Sequence, residues 1–222
     1  AIVVGVKTSN DVTSANVYHS DIYGTRSEKF VALSNKILWN KLRLDEKMLY
    51  FVNKSTEGKS EYDEYASIFD LFNVKNVGIV TSGDKVLIGL THEDVRKSVN
   101  QAIQSGGKGK VYEKLSKHLF NDENIKAISY RPFDNQYIYY SPDIVERPRL
   151  AVMKHFLVGD NIGLLIKRQG KQDFSYVFMV DRLAESCMFE SAYANNTVCP
   201  LYLYDDNGTR HANFNNDELK KF

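Results

Sequence analysis

Cysteine is nearly absent from this chain. Cys187 and Cys199 have neither the density of a disulfide scaffold nor the spacing of a zinc site, which fits a reducing, intracellular setting. Five histidines, His19, His92, His118, His155 and His211, are too scattered to suggest a metal centre. No apolar run approaches membrane-spanning length. No G-x-x-x-x-G-K-[ST] occurs, so glycines such as Gly78, Gly83 and Gly89 do not make a nucleotide loop. Net charge is lacking too: 29 Lys and Arg against 28 Asp and Glu leave +1, so the whole chain does not carry the basic excess of many nucleic-acid binders. The four prolines, Pro132, Pro142, Pro148 and Pro200, all stand alone.

What is present is a chain of 222 residues, 43% hydrophobic, enough for one large domain or two small ones with a substantial core. It starts at Ala1, inside an apolar strand-like run and without methionine, and is expected to be a fragment of a longer protein. Residues 2–6 read as a buried strand and Ala15 to His19 as its partner. Thr25 with Glu28 three residues on has capping-box spacing, so a helix is expected there, with Phe30, Leu33, Ile37 and Leu38 on its apolar face. Met48 to Val52 is expected to be a strand, Asn53 to Tyr65 a polar linker, and Ile68 to Phe72 an apolar turn. Gly78 to Gly89 reads as two short strands around Ser82-Gly83-Asp84. Thr91 caps a helix from about His92 to Ile103, with Val95, Val99 and Ile103 inward; a second runs from Val111 to Leu119, with Leu115 and Leu119 inward. Lys108, Lys110, Lys114 and Lys117 read as a solvated face. Beyond Ile125 the chain turns strand-rich. A hairpin is expected with its turn at Asp134-Asn135, then a helix from Arg147-Pro148 to Phe156 with Leu150, Met153 and Leu157 inward, and Asp143 and Glu146 beside its N-terminus. Strands follow at Ile162 to Arg168, Tyr176 to Val180 and Val198 to Tyr204, then a polar tail.

Tyr130 to Tyr204 interleaves aromatics, arginines and glutamines without any catalytic constellation. Arginine and lysine suit phosphate and guanine; asparagine and glutamine suit adenine. The candidate contacts are Arg131; Asn135 and Gln136 on the hairpin; Arg147 and Arg149; Lys167, Arg168, Gln169, Lys171 and Gln172 around a loop with a central glycine; and Asn195 and Asn196. Each polar loop, taken singly, also fits an ordinary solvated turn. Of Arg147 and Arg149, one is expected to anchor phosphate and the other to pair with Glu146 or Asp143. The pentad Pro200-Leu-Tyr-Leu-Tyr204 reads as structural.

The order Y-R-P-F-D-x-Q-Y-I-Y-Y (Tyr130 to Tyr140), R-P-R-x-x-V-M-K-H (Arg147 to His155), L-I-K-R-Q (Leu165 to Gln169) and P-L-Y-L-Y (Pro200 to Tyr204) resembles the C-terminal specificity region of type ISP restriction–modification enzymes and related adenine-specific DNA methyltransferases. Gly78, Thr81 and Asp84 match the segment that opens this region in the family. Gly5-Val6, Val17-Tyr18, Asp21, Gly24, Arg26 and Lys29 match the hairpin and exit helix that close the methyltransferase domain. The resemblance implies a mixed α/β (α+β) fold: residues 1–55 as the trailing hairpin and helix of a methyltransferase sheet, and residues 56–222 as a DNA target recognition domain with a polar tail.

It implies duplex DNA and an upstream methyltransferase domain of the same polypeptide as partners, a cytoplasmic setting without membrane, and S-adenosylmethionine for the parent enzyme. This chain itself is expected to hold no cofactor, no metal and no catalytic residue. The [DNS]-P-P-[YF] motif that holds a flipped adenine is missing, since no two prolines adjoin. The alternative is a protein-interaction or structural module that does not bind nucleic acid. An independent small-molecule enzyme ranks last.

Overall fold

The computed structural model describes residues 16–43, 50–53, 55, 57–167, 177–189 and 195–221. The chain divides into two units, Ala1–Tyr65 and Ala66–Phe222. In the first, β1 (Tyr18–His19) pairs antiparallel with β2 (Asn40–Lys41), and α1 (Arg26–Ser34) lies between them in sequence. Thr25 caps α1 in a full capping box with Glu28, as its spacing indicates. The expected apolar face does not find a core here: Phe30, Leu33 and Leu38 are exposed, and α1 buries no residue. Tyr50, Phe51 and Val52 are not strand, and α2 (Lys59–Glu64) occupies the expected linker. The expected strand at 2–6 lies outside the described residues.

The second unit is a mixed α/β fold of stacked layers. In chain order it contains α3 (Ile68–Leu71), β3 (Asn76–Val77), α4 (Asp84–Leu87), β4 (Ile88–Gly89), α5 (His92–Ser105), α6 (Lys110–Leu115), β5 (Ile125–Arg131), β6 (Asp134–Tyr139), α7 (Leu150–Met153), β7 (Gly163–Lys167), β8 (Phe178–Val180), β9 (Leu183–Ala184), β10 (Asn196–Pro200), β11 (Tyr202–Tyr204), β12 (Arg210–Ala212) and α8 (Asn216–Leu219). One sheet has the order β3-β10-β7-β8, the other β4-β6-β5-β9; β11 and β12 form a ribbon.

Alternation along the strands decides which face meets which layer. Ile128 and Ile138 of the second sheet join Leu165 and Val198 of the first in the main core. Ile125 and Tyr139, paired across β5 and β6, point the other way and meet Val95, Val99 and Leu115 of α5 and α6. Ile166 and Cys199, on the far face of the first sheet, are covered by α3 and by Phe214 of the tail. Each fully buried aliphatic side chain in these layers contributes about 2 kcal/mol of burial free energy. Tyr139 is buried as a tyrosine because its hydroxyl is satisfied: it accepts from the Asn121 N–H (3.0 Å) and lies 3.0 Å from His118 Nε2.

Several expectations change for physical reasons. Gly78 to Gly89 is not a hairpin. Thr81 Oγ1 bonds Asp84 Oδ1 and accepts from the Gly83 N–H, which turns the chain into α4 and sends its two halves to different sheets. The β5–β6 hairpin turns at Pro132-Phe133 rather than Asp134-Asn135, with Phe133 left-handed at φ +61°. The helix expected from Arg147 starts only at Leu150, because Arg147 is tied by backbone bonds to Val80 and Arg149 is left-handed. Val152, Met153 and His155 point inward there, while Leu150 and Leu157 are exposed. Glu146 therefore lies before any helix, 4.0 Å from Lys114 Nζ. Second-helix residue Leu119 falls beyond the end of α6 and is exposed. Val198 to Tyr204 breaks at Leu201 into β10 and β11, which join different partners. The tail packs: Asn213 is fully buried, accepting from Val74 N–H at 2.8 Å and donating to the Val74 and Pro200 carbonyls.

Candidate functional site

The centre of the candidate region is the short extended segment Ile79–Val80. Ile79 pairs in parallel with Glu185, and Val80 pairs antiparallel with Arg147. Gly78 permits this crossing: a Cβ there would lie 2.5 Å from the Glu185 carbonyl oxygen. This one strip therefore fixes the backbones of Glu185 and Arg147 on its two sides.

Glu185 draws in Arg131. The Glu185 carboxylate is buried and accepts from Arg131 Nη1 (2.9 Å), the Ser186 hydroxyl (3.0 Å) and the Cys187 N–H (2.6 Å). The Arg131 guanidinium also stacks over the Tyr130 ring at 4.0 Å. The Tyr130 hydroxyl donates to Asp84 (2.8 Å), and burial with that carboxylate pushes the phenol up to about 12. Arg131 is thus tied to Glu185 while a third of its side chain, 33%, stays exposed. Asn135 is exposed and accepts from Ser129 Oγ (3.1 Å); Gln136 donates to Asp134 (2.8 Å). Phe133, at the hairpin tip, is 91% exposed and meets Phe178 edge-on at 5.5 Å.

Arg147 and Arg149 differ from the expectation that one would pair with an acid. Neither has a carboxylate partner among the described residues. Arg147 is exposed, and Arg149 Nε is buried without an acceptor. Burial, followed by the neighbouring Arg147 charge, lowers the Arg149 pKa from its usual value.

Lys167 ends β7, and the β7–β8 ladder is antiparallel, so residues 168–176 connect the two strands. Arg168, Gln169, Lys171 and Gln172 lie there, outside the described residues. Asn195 is exposed and accepts from Cys187 Sγ at 3.5 Å. Asn196 is fully buried, its Oδ1 accepting from the Met188 N–H at 2.9 Å and its Nδ2 without an acceptor among the described residues.

Sequence reasoning does not find Lys85. With Lys108 and Lys110 it lines a groove of about 440 Å3 beside Gly83, Gly109 and Tyr112. Only the packing of α4 against α5 and α6 brings residue 85 to residues 108–110; no local pattern announces it. Among the described residues no three His, Cys, Asp or Glu side chains converge as a metal site, and no helix is long and apolar enough to cross a membrane.

The family profile described as the Type ISP C-terminal specificity domain matches residues 104–222. No curated protein matches the chain. Among solved structures, the chain is similar to a nuclease-deletion mutant of the Type ISP restriction-modification enzyme LlaGI in complex with a DNA substrate mimic, with 20% identity, a TM-score of 0.55, and 94% of this chain and 24% of that one covered. It is also similar to the DrdV–DNA complex, with 16% identity, a TM-score of 0.58, and 92% and 24% covered. A third is the ATP-dependent Type ISP restriction-modification enzyme LlaBIII bound to DNA, with 18% identity, a TM-score of 0.62, and 82% and 14% covered. At these identities the likeness shows the fold alone. The chain spans a quarter or less of the length of those proteins.

Proposed function

The chain belongs to the Type ISP C-terminal specificity domain family, and on that premise we propose that its second unit is the target recognition part of a restriction–modification enzyme, binding duplex DNA in a sequence-specific way. The observation that carries this reading is the family match across residues 104–222. It is supported by solved structures of the same fold that are themselves complexes with DNA or a DNA mimic. The geometry agrees in kind: a layered scaffold holds polar and basic groups, among them Asn135, Arg147, Arg149 and Lys167, on loops and strand ends.

The finer reading follows from the resemblance. The parent enzyme methylates adenine with S-adenosylmethionine in the cytoplasm, its catalytic motifs lie upstream in the same polypeptide, and residues 1–55 form the closing edge of its methyltransferase domain. The open apolar side of α1, with Phe30, Val31 and Leu33 exposed, supports a segment that packs against more protein.

The direct test is titration of a labelled duplex with the 222-residue chain at several salt concentrations, followed by selection from a randomised duplex pool. Binding is expected to be weak, because the net charge is only +1, and log K should fall linearly with log salt, with a preferred sequence emerging from the pool. Salt-independent retention, or no binding at low salt, points to the interaction module instead.

A further inference from the structure

We infer that Arg147 and Arg149 together form a built anion site that takes one phosphodiester of the bound duplex, and that the left-handed backbone of Arg149 is kept to present it. This deepens the DNA-binding reading above and rests on it.

The backbone of all three residues in Arg147-Pro148-Arg149 is pinned. Arg147 N–H donates to the Val80 carbonyl (2.9 Å) and its own carbonyl accepts from the Val80 N–H (3.2 Å). The Pro148 carbonyl accepts from the buried Tyr140 hydroxyl at 2.6 Å. The Arg149 carbonyl accepts from the N–H groups of Val152 (3.0 Å) and Met153 (2.9 Å). Between these ties Arg149 sits at φ +56°, ψ +41°, a conformation that a residue with a Cβ adopts at a cost.

The side chains are arranged against their own electrostatics. Arg96, Arg131 and Arg182 each face a carboxylate, of Asp122, Glu185 and Asp181. Arg147 and Arg149 face none among the described residues, and Arg149 Nε is a buried donor without an acceptor; burial first, and the Arg147 charge second, lower the Arg149 pKa. An anion bound at this tripeptide offsets the repulsion between its two charges and supplies the orphaned donor with an acceptor, while the left-handed backbone is held by the ties above. Arginine forks match the geometry of a phosphate, and a phosphodiester contact fixes register without reading bases.

The experiment uses the 222-residue chain and the variants Arg147→Gln and Arg149→Gly. Glycine accepts the left-handed backbone freely, so Arg149→Gly keeps the fold and its Tm should equal or exceed that of the wild type. Two readouts are taken: duplex binding against salt, and the Tm shift in inorganic phosphate against chloride at equal ionic strength. Each variant should weaken binding on the order of tenfold, equally on preferred and scrambled duplexes, with a salt slope shallower by about 0.9. The phosphate-induced Tm rise of the wild type should be lost in Arg149→Gly. Wild-type affinity and slope in both variants overturn the site while leaving DNA binding intact. If the wild type shows no salt-dependent DNA binding yet phosphate still raises its Tm and not that of Arg149→Gly, the DNA reading fails and the phosphodiester assignment falls to a free anion. Absence of both effects overturns the site and the reading together.

Discussion

At the scale of single residues, the second unit relies on buried polar side chains that each tie several backbone groups. Asn161 donates to the carbonyls of His155 and Tyr202 and accepts from the N–H groups of Ile162 and Tyr202. His155 is buried and its Nδ1 accepts from the Tyr204 N–H at 2.9 Å, which joins the short helix after α7 to β11. Acceptance at Nδ1 requires an unprotonated nitrogen there, and burial, with the adjacent Lys154 charge, lowers the His155 pKa from 6.5. The unfolded chain therefore takes up this proton before the folded one does. The stabilisation from His155 is present above about pH 6.5 and is lost as pH falls toward its lowered folded value. Denaturant unfolding at pH 7.5 and at pH 5 should show this loss, and His155→Asn, which keeps an acceptor without a titrating group, should flatten it. Equal pH dependence in the two proteins sinks the assignment.

At the scale of elements, α5 and the Gly78 crossing illustrate two kinds of legibility. The periodicity of Val95 and Val99 and the Thr91 cap place α5 from sequence alone, and both valines are fully buried. Gly78, Thr81 and Asp84 stand out in the sequence as a motif, but their reason is tertiary. The glycine lets two backbones touch, and the threonine and aspartate build the turn that divides the chain between sheets. Gly78→Ala should cost about 2 kcal/mol, because the atoms it meets are the backbone of Glu185 and Ser186 rather than the end of a side chain that can move aside. A chemical denaturation midpoint within error of the wild type's would count against this account of the crossing.

At the scale of the molecule, the two units differ in what they bury. The second encloses three apolar clusters between its layers. In the described part of the first, Leu42 is the one buried apolar residue, and α2 before the division at Tyr65 buries none. Limited proteolysis should accordingly cut first within about residues 57–65, where the side chains are mostly exposed and none is buried, and release a resistant product that begins near Ala66. Early cleavage within α5, β5 or β6 at comparable rates contradicts this division of stability.

The sequence by itself determined the features that local physics controls. It marked the Thr25 and Thr91 caps, the α5 stripe, the β5–β6 hairpin and the successive strands β7 and β8, and its ordered motifs pointed to the family. It also singled out Arg147 and Arg149, though with an acid partner for one of them that the fold does not provide. Only the tertiary structure decided the rest, because the deciding contacts lie far apart in the chain. Burial of Asn196 beside Met188, commitment of Arg131 to Glu185, 54 positions away, division of the Val198–Tyr204 run between two partners, and the packing of the polar tail through Asn213 leave no local pattern to read. A polar residue looks the same in sequence whether its partner is water, a distant backbone carbonyl or a ligand. Desolvation and hydrogen-bond geometry, set only when the layers close, tell these apart.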